Sequence, residues 1–164
     1  GLPRDHYAKI NIHVGGTYGG DFAGTAKRWC KNFLRLDEGT RARLTLENDD
    51  KASMWSVKHL YDYVYKEVGV PIVFDYHHFR FCKGDQTEAE AVQMAASTWP
   101  KGIKPVVHLS ESRALEQGDE KIRPQAHSDF IYNKVNRHGV EYDMMLECKM
   151  KELGLLKFRE VLQE

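Results

Sequence analysis

The sequence predicts an α/β protein, a partial (β/α)8 barrel of the TIM type built from about five strand–helix units. Three observations carry that expectation. Five short segments rich in β-branched and apolar residues recur along the 164 residues, each is followed by a stretch with helical periodicity, and the strands alternate between an apolar and a polar face.

The first strand, KINIHV (9–14), sets Ile10, Ile12 and Val14 against Lys9, Asn11 and His13 on the opposite face. The glycine-rich HVGGTYGG (13–20) lacks both the Lys-Ser/Thr ending of a P-loop and the GxGxxG spacing, so it reads as a flexible active-site loop. In FAGTAKRWCKNFLRL (22–36), Phe22, Ala26, Trp29, Phe33 and Leu36 fall on one helix face. RLTLEN (43–48) then separates Leu44 and Leu46 from Arg43, Thr45 and Glu47. SMWSVKHLYDYVYKEVG (53–69) repeats the helical pattern through Val57, Leu60, Val64 and Val68, with Ser53 as cap and Gly69 as stop. PIVFDY (71–76) is the third strand, and TEAEAVQMAASTW (87–99) opens on a capping box, Thr87 and Glu90, and ends before Pro100. After KPVVHL (104–109) a helix is predicted over HSDFIYNKVNRHG (127–139), closing on Gly139. EYDMMLEC (141–148) is the fifth strand, with Met144, Leu146 and Cys148 on the core side away from Glu147, and MKELGLLKFREVLQE (150–164) is the last helix.

Repetition of strand, loop and helix admits two architectures. A doubly wound sheet is covered on both faces and reads as continuously apolar, whereas a barrel strand turns its apolar face to the helices and its polar face to the lumen. The alternation in KINIHV and RLTLE favours the barrel. A closed barrel typically takes about 250 residues. Residues 1–164 are therefore expected to be one domain, the C-terminal portion of such a barrel, with only a short polar lead, GLPRDHYAK, before the first strand. Two open sheet edges predict a missing N-terminal portion, self-association or an aggregation-prone product.

Composition narrows the partners. Lys plus Arg and Asp plus Glu are both 24, so bulk charge favours neither nucleic acid nor any other charged partner, although a local basic rim would escape this sum. The three cysteines are far apart and without CxxC spacing, which predicts a reduced, intracellular setting, cytoplasmic or nuclear, rather than disulfides or a thiolate zinc site. No apolar run approaches the roughly 18 residues of a membrane span, and the first residues lack a signal-peptide pattern, so a soluble protein with no membrane partner is expected.

His13, Glu47, Asp75, His108 and Glu147 each stand at or near the C-terminal end of one strand, at intervals of 34, 28, 33 and 39 residues. In a barrel those ends form the active-site mouth. One histidine or carboxylate at a strand end is ordinarily a cap or a salt-bridge partner, but five in the same place of five repeats predict a metal centre. Either His77 or His78, in FDYHH (74–78), and His127, in AHSDF (126–130), can join from the loops. His59 and His138 fall on a helix surface and a helix end and are assigned structural roles. A nitrogen and oxygen donor set without thiolate suits Mn, Zn, Fe or Mg, and its size predicts more than one ion. Lys149 and Lys151, in KMK, are either a solvated helix start or phosphate contacts.

HVGG (13–16), LENDD (46–50), FDYHH (74–78), HLS (108–110), AHSD (126–129) and LECKMK (146–151) resemble, in order and spacing, the motifs of the ultraviolet damage endonuclease family. The likeness covers nearly the whole chain and matches the C-terminal part of that family's barrel. It implies a metal-dependent DNA repair endonuclease that hydrolyses a phosphodiester on the 5′ side of photoproducts in double-stranded DNA, commonly with manganese and with Zn or Mg as alternatives. It further implies His13, Glu47, Asp75, His78, His108, His127 and Glu147 as metal ligands, with Glu47, His108 and Glu147 central to catalysis, and it selects His78 over His77. The family usually carries a lysine two residues before the histidine of its HLS-type motif, and here that position is Val106, with Lys104 one pleat further down. Two rival readings are a different metal-dependent barrel enzyme such as a sugar isomerase, and a non-catalytic, self-associating half-barrel.

Overall fold

A computed structural model describes residues 1–163. Five parallel strands form one sheet in chain order: β1 (Ile10–Ile12), β2 (Leu44–Glu47), β3 (Ile72–Asp75), β4 (Val106–Leu109) and β5 (Asp143–Leu146). The sheet curls into a half-barrel, as the alternation predicts. Leu44 and Leu46, Ile72 and Phe74, and Val107 and Leu109 enter the main core with the helices, while the intervening Thr45, Glu47, Asp75 and His108 face the other way. β1 and β5 are the open edges, and Ile10 and Ile12 remain about one-third exposed because no sixth strand or flanking helix among the described residues covers them.

The helices on the outer face are α1 (Phe22–Phe33), α2 (Glu38–Arg41), α3 (Val57–Leu60), α4 (Lys66–Val68), α5 (Tyr76–Phe79), α6 (Glu88–Ser97), α7 (Arg113–Gln117) and α8 (Lys151–Gln163). A π-helical stretch, Tyr61–Tyr65, joins α3 to α4, and the run ends at Gly69, whose φ of 69° lets the chain turn without a Cβ penalty. α1 contributes Ala26, Cys30 and Phe33 to the core, α3 contributes Val57 and Leu60, and α6 contributes Ala91, Val92 and Ala95. The capping box of α6 is present in both directions between Thr87 and Glu90.

The cap at α3 falls on Ser56 rather than Ser53. Ser56 Oγ accepts from His59 N at 3.2 Å, while the Ser53 carbonyl accepts from Thr17. The helix expected over 127–139 does not form. Its backbone donors are taken by two distant carboxylates: Glu116 accepts from Asp129 N and Phe130 N at 2.7 and 3.0 Å, and Glu111 accepts from Tyr132 N and Asn133 N at 3.2 and 2.9 Å. An α-helix would need those N–H groups for its own ladder. The helix that does follow β4 is the short α7, and the last helix ends at Gln163, with Glu164 outside the described residues.

Below the lumen rim, Val73 and Val106 pack with Trp99 and Ile103. Val106 thus belongs to an apolar plug, and Lys104 Nζ reaches outward to Asp143 Oδ1 at 3.1 Å. Neither supplies an amine to the strand ends above. No helix among the described residues is long and apolar enough to cross a membrane.

Candidate metal centre

Each strand end delivers its polar residue to the loop face because the period-2 reading holds through the last residue of the strand. Asp75 and His108 are register partners on β3 and β4, which sets their side chains next to one another. β2 brings Glu47 alongside and β5 leads directly into Glu147. Two groups of potential ligand atoms result: His13, Glu47 and His78, and Glu47, Asp75, His108 and Glu147, with all atoms in each group within 4.8 Å of one another. Glu47 belongs to both. Metal–ligand bonds of about 2.0–2.2 Å bring ligand atoms to within about 3–4.4 Å of each other, so these groups need only small adjustments to close on an ion.

The carboxylate of Glu47 is the hub. Its Oε1 lies 3.1 Å from His78 Nδ1, and its Oε2 lies 3.2 Å from His108 Nδ1 and 4.0 Å from His13 Nε2. Glu147 Oε1 is 3.0 Å from His108 Nδ1 on the other side. Within this tight set Glu47 Oε1, Asp75 Oδ2 and His108 Nδ1 are buried with no well-formed hydrogen bond. Burial leaves these atoms without a well-aligned hydrogen bond, a costly arrangement that coordination to a cation would relieve. The donor set therefore fits a hard or borderline divalent metal.

A supporting shell holds the donors in place. Asn11 Nδ2 donates to Glu47 Oε2 at 2.5 Å, and Thr45 Oγ1 donates to Asn11 Oδ1 at 2.9 Å, so the amide is fixed at both ends. Asn48 locks β2 to β3, accepting from Asp75 N at 2.8 Å and donating to the Asp75 carbonyl at 3.1 Å. Asp49 Oδ1 lies 3.1 Å from His13 Nδ1, which orients the ring, and Asp49 Oδ2 accepts from Trp55 N at 3.2 Å. Asn11 and Asp49 are absent from the ligands expected from sequence. The polar face of KINIHV exposes Asn11 to that reading, but nothing local distinguishes a supporting amide from any other lumen residue. Replacing Asn11 with alanine is expected to weaken Mn(II) binding about 10–100-fold while leaving the ligands intact, measured by calorimetric titration.

The loop histidines separate. His78 sits on α5, capped by Asp75, with Nδ1 2.9 Å from the Asn48 carbonyl and within reach of Glu47. His77 points elsewhere, its Nε2 lying 3.2 Å from the Gln125 carbonyl, and burial pushes it down to about 4. One residue along a helix rotates a side chain by about 100°, so only one of the pair can face Glu47. His127 is placed by a short antiparallel bridge to Ser112 and lies beside both groups without entering either. Its Nδ1 is 2.9 Å from the Glu147 carbonyl, an arrangement that leaves Nε2 as the nitrogen available to a ligand. Cys148 turns away as expected, packing its thiol against Gly154 of α8, where any side chain would collide with it. Lys149 and Lys151 are exposed and line, with Glu147, a cleft of about 590 Å³.

Without metal the cluster holds protons instead. Burial would lower His108, but Glu147 and Glu47 overcome it and raise the ring to about 10. Burial likewise opposes the charge on His78, and Glu47 and Asp75 raise it to about 9. Asp75 is raised to about 6, first by burial, with repulsion from Glu47 adding and the His78 charge opposing. Burial also works against the Glu47 carboxylate, yet His108, His78 and His13 hold it below the usual range. The signs fix a pH profile for the metal-free chain. Raised histidine values contribute stability that is full below about 6.5 and lost as pH climbs through about 9 to 10, and the raised Asp75 contributes in the same sense at lower pH, its share lost as pH climbs from the unfolded carboxyl range through about 6. The lowered Glu47 contributes above the unfolded carboxylate range and is lost in acid. The thermal midpoint of the metal-free chain is expected to fall through about pH 9–10, and Mn(II) uptake at pH 7 is expected to release protons, read as a buffer-dependent binding enthalpy. A flat alkaline limb with no proton release would contradict this.

The chain matches the family described as UV-endonuclease UvdE over residues 1–164. The UV DNA damage endonuclease of Bacillus pumilus (strain SAFR-032) is 35% identical over 171 residues, an alignment covering 98% of this chain and 50% of that protein. The UV-damage endonuclease of Schizosaccharomyces pombe is 35% identical over 156 residues, covering 92% of this chain and 25% of that protein. The crystal structure of SacUVDE superposes with a TM-score of 0.76 at 30% identity, covering 94% of this chain and 51% of that one. The chain thus spans about half the length of the Bacillus relative and of SacUVDE.

Proposed function

The chain belongs to the UV-endonuclease UvdE family, and on that premise we propose that it forms the metal-holding half of a DNA repair endonuclease that incises 5′ to ultraviolet photoproducts. The observation that carries the reading is the sharing of Glu47 between two ligand groups at the mouth of the half-barrel. His13, Glu47, Asp75, His78, His108, His127 and Glu147 would hold the ions, manganese first, with zinc or magnesium as alternatives. Bound divalent metal supplies Lewis acidity toward the phosphate and lowers the pKa of the attacking water. Glu47, His108 and Glu147 do the positioning: Glu47 joins the two groups, and the His108 ring lies between the two carboxylates. Lys149 and Lys151, along the cleft beside Glu147, hold backbone phosphates of damaged double-stranded DNA as point charges. Hydrolysis then breaks the P–O3′ bond, leaving a 3′-hydroxyl and a 5′-phosphate.

Val106 marks a departure from the family's usual lysine, and its place in the plug with Trp99 leaves no amine there. The ligand groups at the described strand ends are then built of carboxylates and imidazoles. Five strands leave the outer edges of β1 and β5 open, so activity requires companion strands, either from the remaining half of the barrel or by association. The test is an end-labelled duplex carrying a single photoproduct, incubated with Mn(II) and this chain, with and without the N-terminal half of a relative. Incision 5′ to the lesion, dependent on both Mn(II) and the companion half, is expected. Absence of incision in both conditions overturns the nuclease reading.

A further inference from the structure

The loop between β1 and α1 carries a strained, outward-facing aromatic residue. It begins at His13 and is pinned twice: Trp55 Nε1 donates to the Gly15 carbonyl at 2.8 Å, and the buried Thr17 donates through Oγ1 to the Ser53 carbonyl at 3.1 Å. Beyond the second pin the chain takes left-handed backbone at Tyr18 (φ 47°), Gly19 (φ 81°) and Gly20 (φ 91°). Glycine adopts that conformation freely, and a tyrosine does not. The strain lifts a large ring into solvent, where Tyr18 is 79% exposed, although its chain neighbour Thr17 is buried. A residue chosen only for loop geometry here would be a third glycine or an asparagine.

The ring does not stand alone. The Arg28 guanidinium of α1 lies 5.4 Å from its centroid. Arg28 is itself steadied, donating from Nη2 to Thr25 Oγ1 at 2.9 Å and facing Asp21 Oδ2 at 3.7 Å. An exposed aromatic face backed by a fixed cation is thereby attached, five residues downstream of His13, to the loop face that carries the metal centre. Ring faces stack on nucleobases without regard to sequence, and a neighbouring guanidinium takes the adjoining phosphate. We infer that Tyr18 and Arg28 form a nucleotide-stacking platform on the rim of the site, Tyr18 holding a base displaced from the duplex stack and Arg28 the phosphate beside it. The inference rests on the DNA reading above and adds to it a ligand contact.

The test measures fluorescence anisotropy of a labelled duplex carrying one photoproduct, with the full chain and Mn(II). Tyr18→Ala and Tyr18→Gly are expected to weaken binding about 10-fold, and Tyr18→Phe to bind as the parent does. Tyr18→Gly also relieves the backbone, so its thermal midpoint should rise while its DNA affinity falls, a split that a purely structural role does not produce. Arg28→Ala is expected to reduce the slope of log affinity against log salt by about one. Mn(II) titration should be unchanged in all four variants. If the parent binds the duplex and Tyr18→Gly binds it equally well, the platform is refuted and the DNA reading stands. If the parent binds no duplex even with the N-terminal half of a relative supplied, both fall together.

Discussion

Glu47→Gln is expected to weaken metal binding in both ligand groups at once. The side chain keeps its shape and loses its charge, and because Glu47 is shared between the His13–His78 group and the Asp75–His108–Glu147 group, each loses its common anion. Mn(II) affinity is expected to drop by more than about 100-fold at both positions, beyond the 10–100-fold usually seen when only a supporting residue is lost. The metal-free protein changes as well. His78 holds its proton up to about 9 because Glu47 and Asp75 outweigh burial, and His108 up to about 10 because Glu147 and Glu47 do, so the alkaline loss of stability should shift toward neutral pH in the variant. Glu147→Gln provides the contrast, since Glu147 belongs to one group and should cost one ion. Calorimetric titration with stoichiometry reads both. Retention of one ion at parental affinity in Glu47→Gln would show that the carboxylate does not bridge.

Trp55→Ala carries the largest expected stability loss. Trp55 is fully buried and ties together the loops that follow β1 and β2. Its indole N–H donates to the Gly15 carbonyl, its backbone N–H donates to Asp49 Oδ2, its carbonyl accepts from Asp49 N at 2.9 Å, and Phe22 meets its face edge-on. Removing so large a side chain leaves a cavity worth about 3–5 kcal/mol. Because Asp49 also orients His13, the His13 group should lose metal before the Asp75 group does. Trp55→Phe keeps most of the volume and forfeits the hydrogen bond to Gly15, for about 1 kcal/mol. Urea denaturation at fixed pH separates the two variants, and a loss under about 1 kcal/mol for Trp55→Ala would remove Trp55 as the pin.

The strand framework was legible because each strand states its own orientation. Leu44 and Leu46 against Thr45 and Glu47 is a local pattern, and barrel topology carries it into a shared mouth without further information. Much of the supporting shell was not legible. Asn11 acquires its role only when β1 pairs with β2 and brings it to Glu47, and Asp49 only when the chain after β2 folds back under Trp55. The failed helix over 127–139 has the same origin. Its sequence tolerates a helix, but Glu111 and Glu116 claim its backbone from 13 to 22 residues away, and no local window reveals that competition. Periodicity left His77 and His78 open and only the family resemblance selected His78, because the one-turn α5 capped by Asp75, which turns His78 toward Glu47, is too short for periodicity to register. The cap was read three residues early, at Ser53, because helical periodicity does not fix the first turn, and Ser56 Oγ is the group that accepts from His59 N.

The central claim is that side chains at the ends of five consecutive strands form two ligand groups that share the Glu47 carboxylate and would hold divalent metal. Crystals of the chain grown with Mn(II) and measured at the manganese absorption edge test it most directly. Two anomalous peaks are expected, one among His13, Glu47 and His78 and one among Glu47, Asp75, His108 and Glu147, with Glu47 touching both. Peaks only at surface carboxylates, or none at the strand ends at saturating Mn(II), would contradict it.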